Sequence, residues 1–253
     1  LDDLIVYYLG NKSFRIVSNC ATREKNLSWL SKIAEPFDVG IDFKSDYSIL
    51  ALQGPNSHKH IKSHIEKNIS KFSVHNTDDV MIASTGYTGE LGYEIICDQE
   101  KGIKFWNEFI SNDVQPIGLA ARDTLRLEAG LNLYGTDMDE TNTPYDSNIG
   151  WTIDFNDKDR DFIGKKALEE KKDSKKILKG FYTEERGVLR GGAEVIFEGG
   201  SGVVTSGTWS PTFKKNIGFC RVDKNCGEIG SAVLRDKKIT LKFSNTNFLE
   251  SLK

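Results

Sequence analysis

The chain has 253 residues, 38% hydrophobic and 28% charged, with a formal net charge of -3, a length sufficient for one long domain or two smaller ones. That balance carries no electrostatic footprint for nucleic acid, and no apolar run reaches the roughly eighteen residues of a membrane-spanning helix. The four cysteines (Cys20, Cys97, Cys220, Cys226) lack CxxC spacing, which argues against a zinc site or a disulfide framework and fits reduced thiols in a cytoplasmic protein.

The chain opens Leu1-Asp2-Asp3, without methionine or signal peptide, and runs straight into a strand, which reads as the middle of a longer protein. LIVYYL (4–9) and FRIVS (14–18) form a hairpin through the turn-prone Gly10-Asn11-Lys12-Ser13. Asp2 and Asp3 sit just before the first strand, where pattern alone favours a solvated strand start over a cleft. Thr22 is a partial N-cap, because Lys25 stands where a capping box wants an acid. Leu27, Leu30, Ile33 and Ala34 give the next helix its apolar stripe, and Pro36 ends it. YSILALQGP (47–55) reads as a strand, and residues 57–69 as an amphipathic helix with Ile61, Ile65 and Ile69 at four-residue steps. His60 and His64 share a face of that helix. No HExxH context accompanies them and lysines surround them, so a solvated face outweighs a metal site.

Residues 78–98 read as two strands around Gly86-Tyr87-Thr88-Gly89-Glu90-Leu91-Gly92. These glycines permit positive φ and close approach of a ligand to the backbone. The GxxGxxG spacing matches neither the dinucleotide fingerprint nor the phosphate loop. Glu94 falls on the strand face opposite Tyr93 and Ile95; solvent and a polar cleft beside Tyr87 are both compatible with that placement. Residues 101–112 form a helix with Phe105, Trp106, Phe109 and Ile110 inward.

Residues 119 to about 129 form the next helix, stopped near Gly130, with Leu127 and Leu131 one helical step apart and Asp123 within reach of Arg126. Arg122 and Arg126 are unexpected there, since cations are unfavourable near a helix N-terminus; a partner carboxylate or an anionic ligand would account for them. The acidic run Asp137, Asp139, Glu140 follows. Pro144 and Asn148-Ile149-Gly150 make a loop, and WTIDF (151–155) reads as a strand whose Trp151 is either core or the flat wall of a pocket. Residues 156–176 are a charged connector with a short helix from Ile163 to Lys171. Beyond it, six short strands between 177 and 242, with glycine turns at about eight-to-twelve-residue spacing, indicate a small antiparallel barrel or sandwich. Arg190 lies in the loop GVLRGG.

Together LDDLIVYY, NCATREKNLSWL, LALQGPN, TGYTGELGYE, GLAARDTLRLEAGLNLYGTDMDET, GWTIDF, RDFIGKKAL, GVLR and TSGTWSPT closely resemble, in order, the T-protein (aminomethyltransferase) family of the glycine cleavage system. The family normally begins upstream with its own methionine and glycine-rich motifs. Those are absent here, and FSNTNFLESLK matches the usual ending poorly, so a pocket residue often supplied there is not assigned. A first strand lacking its upstream sheet partner would be an association-prone edge.

The resemblance implies an α+β fold of mixed αβ domains around a central tetrahydrofolate channel, with a C-terminal antiparallel β-barrel. It divides the chain into a truncated first domain (1–45), a second α+β domain (46–155), a connector (156–176) and the barrel (177–253). It implies transfer of the aminomethyl group from the lipoyl arm of the H-protein to tetrahydrofolate, giving 5,10-methylenetetrahydrofolate, ammonia and the dihydrolipoyl arm, with no metal. Asp3 corresponds to the acidic residue nearest the attacking nitrogen, Glu94 to the carboxylate that pairs with the pterin, and Arg122 to the arginine beside it; Tyr87, Trp151 and Arg190 correspond to further pocket positions. Nothing in the sequence gives Asp3 a raised pKa, so it is expected to orient and stabilise rather than act as a strong base. The implied location is bacterial cytoplasm, or the mitochondrial matrix in a eukaryote. Folate-dependent demethylases of the same fold are the alternative. Non-catalytic folate-binding relatives carry KGCYxGQE, where this chain has RDFIGKKAL without the cysteine.

Overall fold

A computed structural model describes residues 1–65 and 69–252. It forms two compact units, Leu1–Arg122 and Asp123–Lys253.

In the first unit, β1 (Leu4–Gly10) and β2 (Ser13–Ser18) pair antiparallel. Their turn places Gly10, Asn11 and Lys12 at positive φ, the backbone that a tight hairpin of matching twist requires. One hairpin face carries Ile5, Tyr7, Leu9 and Val17 into a core with Met81, Ala83 and Ile96. The other leaves Leu4, Val6, Tyr8, Phe14 and Ile16 exposed. Helix α1 (Arg23–Ala34) follows Thr22 and buries Asn26 alone, so its expected leucine stripe is only half-buried.

A four-stranded antiparallel sheet follows, in the order β3 (Tyr47–Gln53), β6 (Gly92–Asp98), β5 (Val80–Ala83), β4 (Val74–Asn76). Strand β4, only three residues long, is too short for alternation to reveal it. On the sheet face opposite the hairpin, Leu52, Ile82, Tyr93, Ile95 and Cys97 pack with Ile61, Ile65, Phe105 and Phe109. The last four belong to α2 (Ser57–Ile61), the turn after it, and α3 (Gln99–Ser111). Helix α2 is thus much shorter than the 57–69 expected, and residues 66–68 of that span lie outside the described residues. Asp98 caps α3 by accepting from the Lys101 amide at 2.8 Å. Trp106 and Ile110 are 51% and 41% exposed rather than inward, because the contact with the sheet is narrow and Gly102, Phe105 and Phe109 fill it.

The division between units falls within α4 (Leu119–Glu128). Gly130, at φ +81°, stops the helix; a Cβ there would meet the Asn247 backbone at 2.8 Å. Residues 151–155 form no strand: Gly150–Thr152 is a 3-10 turn, and Trp151 is 80% exposed. Helix α5 (Lys165–Glu170) lies in the charged connector. The six strands β7 (Lys176–Thr183), β8 (Glu194–Phe197), β9 (Gly200–Ser210), β10 (Lys215–Asp223), β11 (Ile229–Leu234) and β12 (Lys237–Ser244) close into an antiparallel barrel in the order β10-β7-β12-β11-β8-β9. Its interior holds Phe181, Leu189, Val195, Val204, Val222 and Leu241. The short C-terminal helix α6 (Phe248–Ser251) seats Phe248, fully buried, against Phe219 with ring centroids 6.1 Å apart.

Candidate functional site

Alternation along β6 decides where Glu94 points. Tyr93, Ile95 and Cys97 take the helix-covered face, so Glu94 shares the hairpin-covered face with Ile96. There it is half-buried and joined to the hairpin through hydroxyls. Thr85 Oγ1 donates to Glu94 Oε2 at 2.5 Å, and Tyr7 Oη lies 3.0 Å from Thr85 Oγ1. A threonine hydroxyl has one proton to give; since Thr85 gives it to Glu94, the phenol donates to Thr85. Burial pushes the Tyr7 phenol up, opposed by the Thr85 contact and reinforced by the Glu94 charge, which keeps that donor protonated. Among the described residues, no hydrogen bond occupies Glu94 Oε1.

Tyr87 and Arg122 meet: the guanidinium carbon lies 4.5 Å from the ring centroid, within cation–π range. The expected ion pair between Arg122 and Glu94 is not formed among the described residues; the arginine lies over the aromatic ring instead. Gly86 and Gly92 also differ from expectation. Neither has positive φ, and a Cβ on either would strike the Gln53 side chain, at 1.8 and 2.4 Å. The close approach they permit is by Gln53.

Asp2 and Asp3 are half-buried rather than solvated. Asn19 Nδ2 donates to Asp2 Oδ1 and Asp3 Oδ1, each at 2.9 Å, while Thr22 Oγ1 and Asn26 Nδ2 donate to Asp2 Oδ2. Burial works against Asp2 ionisation, but the donors from Thr22, Asn19 and Asn26 outweigh it and hold the carboxyl below its usual range. Asp3 is the reverse: burial pushes it up, the Asn19 donor opposes, and the neighbouring Asp2 charge adds to the rise. The expectation of an unperturbed Asp3 is therefore corrected. Two adjacent carboxylates share one amide, and only the first has enough donors to offset desolvation.

Arg126 is a structural residue of the second unit. It is 2% exposed and bonds Asp123 Oδ1 at 2.8 Å, Asp137 Oδ2 at 2.6 Å and Ser206 Oγ at 3.0 Å. Asp137 also accepts from Thr205 and Ser206, each at 2.6 Å. Asp137, the first acid of the run at 137–140, is thus the carboxylate that Arg126 required. Nearby Glu128, likewise buried, accepts from Ser210 and Thr212. Trp151 and Arg190 both belong to this unit and are exposed.

Among the described residues, two of the four histidines have side-chain partners. His64 Nε2 lies 2.8 Å from Glu108 Oε1 and His58 Nδ1 lies 3.2 Å from Tyr93 Oη. Among the described residues, no group of three or more His, Cys, Asp or Glu side chains is placed to hold a metal ion. Cys97, Cys220 and Cys226 are buried free thiols, each pushed up chiefly by burial. No described helix is long and apolar enough to cross a membrane.

Comparison with known proteins places this geometry. Residues 1–157 match the GCVT N-terminal domain, and residues 176–249 match the glycine cleavage T-protein C-terminal barrel domain. The crystal structure of glycine cleavage system aminomethyltransferase T from Bartonella henselae is similar at 32% sequence identity and a TM-score of 0.92, over 99% of this chain and 72% of that one. The mixed αβ architecture with its closed six-stranded barrel is the T-protein fold. With the N-terminal family match covering more than half its residues, the chain belongs to the glycine cleavage T-protein family, a folate-binding family.

Proposed function

We propose that this chain is an aminomethyltransferase, moving the aminomethyl carbon from the lipoyl arm of an H-protein to tetrahydrofolate with release of ammonia and a dihydrolipoyl arm. Besides family membership, the observation that carries this reading is Glu94. One carboxylate oxygen is held by Thr85 and the other is available on a half-buried strand face. A pterin presents adjacent ring N–H and amino donors, which suit such an acceptor through charge-assisted hydrogen bonds. Tetrahydrofolate supplies the nucleophilic nitrogen and accepts the one-carbon unit.

The chain's own residues then have distinct tasks. Glu94, oriented by Thr85 and Tyr7, accepts the pterin donors. Tyr87, under the Arg122 guanidinium, presents an aromatic wall whose position the cation stabilises. Asp3, held by Asn19, orients the attacking nitrogen and stabilises positive charge developing there. Its raised pKa brings it closer to the range useful for proton transfer. Trp151 and Arg190 are assigned by family correspondence alone, as an aromatic contact and a partner for the glutamate tail. Holding two substrates in one geometry supplies much of the rate without a metal.

The test is calorimetric titration with tetrahydrofolate, alongside ammonia release from aminomethylated H-protein. Loss of charge-assisted hydrogen bonds worth about 1.5–3 kcal/mol each predicts that Glu94→Ala weakens tetrahydrofolate binding by about ten- to a hundredfold or more. H-protein affinity is expected to hold. Equal folate affinity in variant and parent would remove Glu94 from the pterin site.

A further inference from the structure

We infer that Gln53 is a positioning residue for the folate site, setting the loop that carries Tyr87 against the strand that carries Glu94. The inference rests on the function proposed above. Gln53 ends β3 directly opposite Gly92 of β6. Its amide nitrogen has two hydrogens, and each has an acceptor. One goes to the Thr85 carbonyl and the other to the Tyr93 carbonyl, both at 3.2 Å. Thr88 Oγ1 in turn donates to Gln53 Oε1 at 3.4 Å. One side chain thereby ties together the residue whose hydroxyl holds Glu94, the residue immediately before Glu94, and the residue immediately after Tyr87.

Space for this clasp is built into the loop. Gly86 and Gly92 have backbone conformations open to any residue, yet a Cβ at either would overlap the Gln53 carboxamide. Their lack of side chains therefore serves Gln53 rather than the backbone angle. The atoms in the way are the far end of a flexible side chain, so an alanine would be accommodated by expelling the amide. The consequence would be loss of its three hydrogen bonds, with Thr85 and Tyr93 carbonyls left in a partly buried setting. Gly86→Ala and Gln53→Ala should accordingly cause the same defect, and combining them should add little, the signature of two changes acting on one contact.

The experiment uses the full chain as parent, Gln53→Ala, Gly86→Ala and the double variant. It reads tetrahydrofolate affinity by calorimetry, the split between KM for tetrahydrofolate and kcat in ammonia release, and hydrogen exchange of amides 84–93. Each single variant is expected to weaken tetrahydrofolate binding by about tenfold, as loss of one or two net hydrogen bonds would. The loss should appear in KM more than in kcat, with faster exchange confined to the loop and a double variant no worse than either single. Single variants that bind tetrahydrofolate like the parent, or a double variant whose loss is the product of the singles, would overturn the inference. A parent that binds no tetrahydrofolate would overturn the proposed function and this inference with it.

Discussion

Replacing Asp137 with alanine should unfold the second unit far more readily, and the structure sets the scale. Asp137 is buried and accepts from Arg126, Thr205, Ser206 and the Leu133 amide, at 2.6 to 2.9 Å. Its loss takes from the Arg126 guanidinium its buried carboxylate partner; Asp123, also paired with it among the described residues, is 53% exposed. Removing one member of a buried ion pair leaves the other charge poorly compensated and costs about 3–5 kcal/mol. At about 2–4 °C per kcal/mol for a chain of this size, the melting point should fall by about 6–20 °C. Urea unfolding followed by circular dichroism measures the change as a shift in midpoint at constant slope. Asp123→Ala is the internal control: it removes an exposed partner of the same arginine and should cost at most about 1 kcal/mol. Replacing both buried charges, Arg126→Met with Asp137→Leu, should be less damaging than Asp137→Ala alone, because no buried charge is left behind. If Asp137→Ala proves no more destabilising than Asp123→Ala, the assignment of Arg126 to a buried structural pair is wrong.

The paired aspartates before β1 should separate in two assays. Asp3→Asn should slow aminomethyl transfer by about a hundredfold or more at saturating substrate, with tetrahydrofolate affinity largely intact; unchanged turnover would take Asp3 out of the mechanism. If the carboxylate of Asp3 is the working form, as proposed, the parent's activity should fall on the acid side at a pH above the ordinary carboxyl value of 3.8, because Asp3 is raised; this limb should vanish in Asp3→Asn. Asp2→Asn acts on stability instead, with an expected loss of about 1–2 kcal/mol at neutral pH from weakened hydrogen bonds. Asp2 has a lowered folded pKa, so its contribution is present above the unfolded value of 3.8 and disappears as pH falls through the folded one. The difference between parent and variant should therefore close in acid, and a difference independent of pH would contradict the network around Asp2.

Neighbouring residues and their periods were enough to read much of this chain. The hairpin turn at Gly10-Asn11-Lys12, the helix stop at Gly130 and the barrel strands all follow from local pattern. Local reading failed where an element was too short, as in β4, or where apolar residues lacked enough opposing surface, as with Trp106 and Ile110. The largest differences came from contacts distant in sequence. A partner carboxylate or an anionic ligand was expected for Arg126, with Asp123 in reach, but that Asp137 would be the buried partner depends on how residues 130–137 and strand β9 pack around it. The face chosen by Glu94 depends on helices covering one side of β6 and the hairpin the other. The purpose of Gly86 and Gly92 emerges only when Gln53, more than thirty residues earlier, lies across them. Backbone propensity acts over a few residues, whereas the burial that assigns partners to charged and polar groups exists only after distant segments have packed.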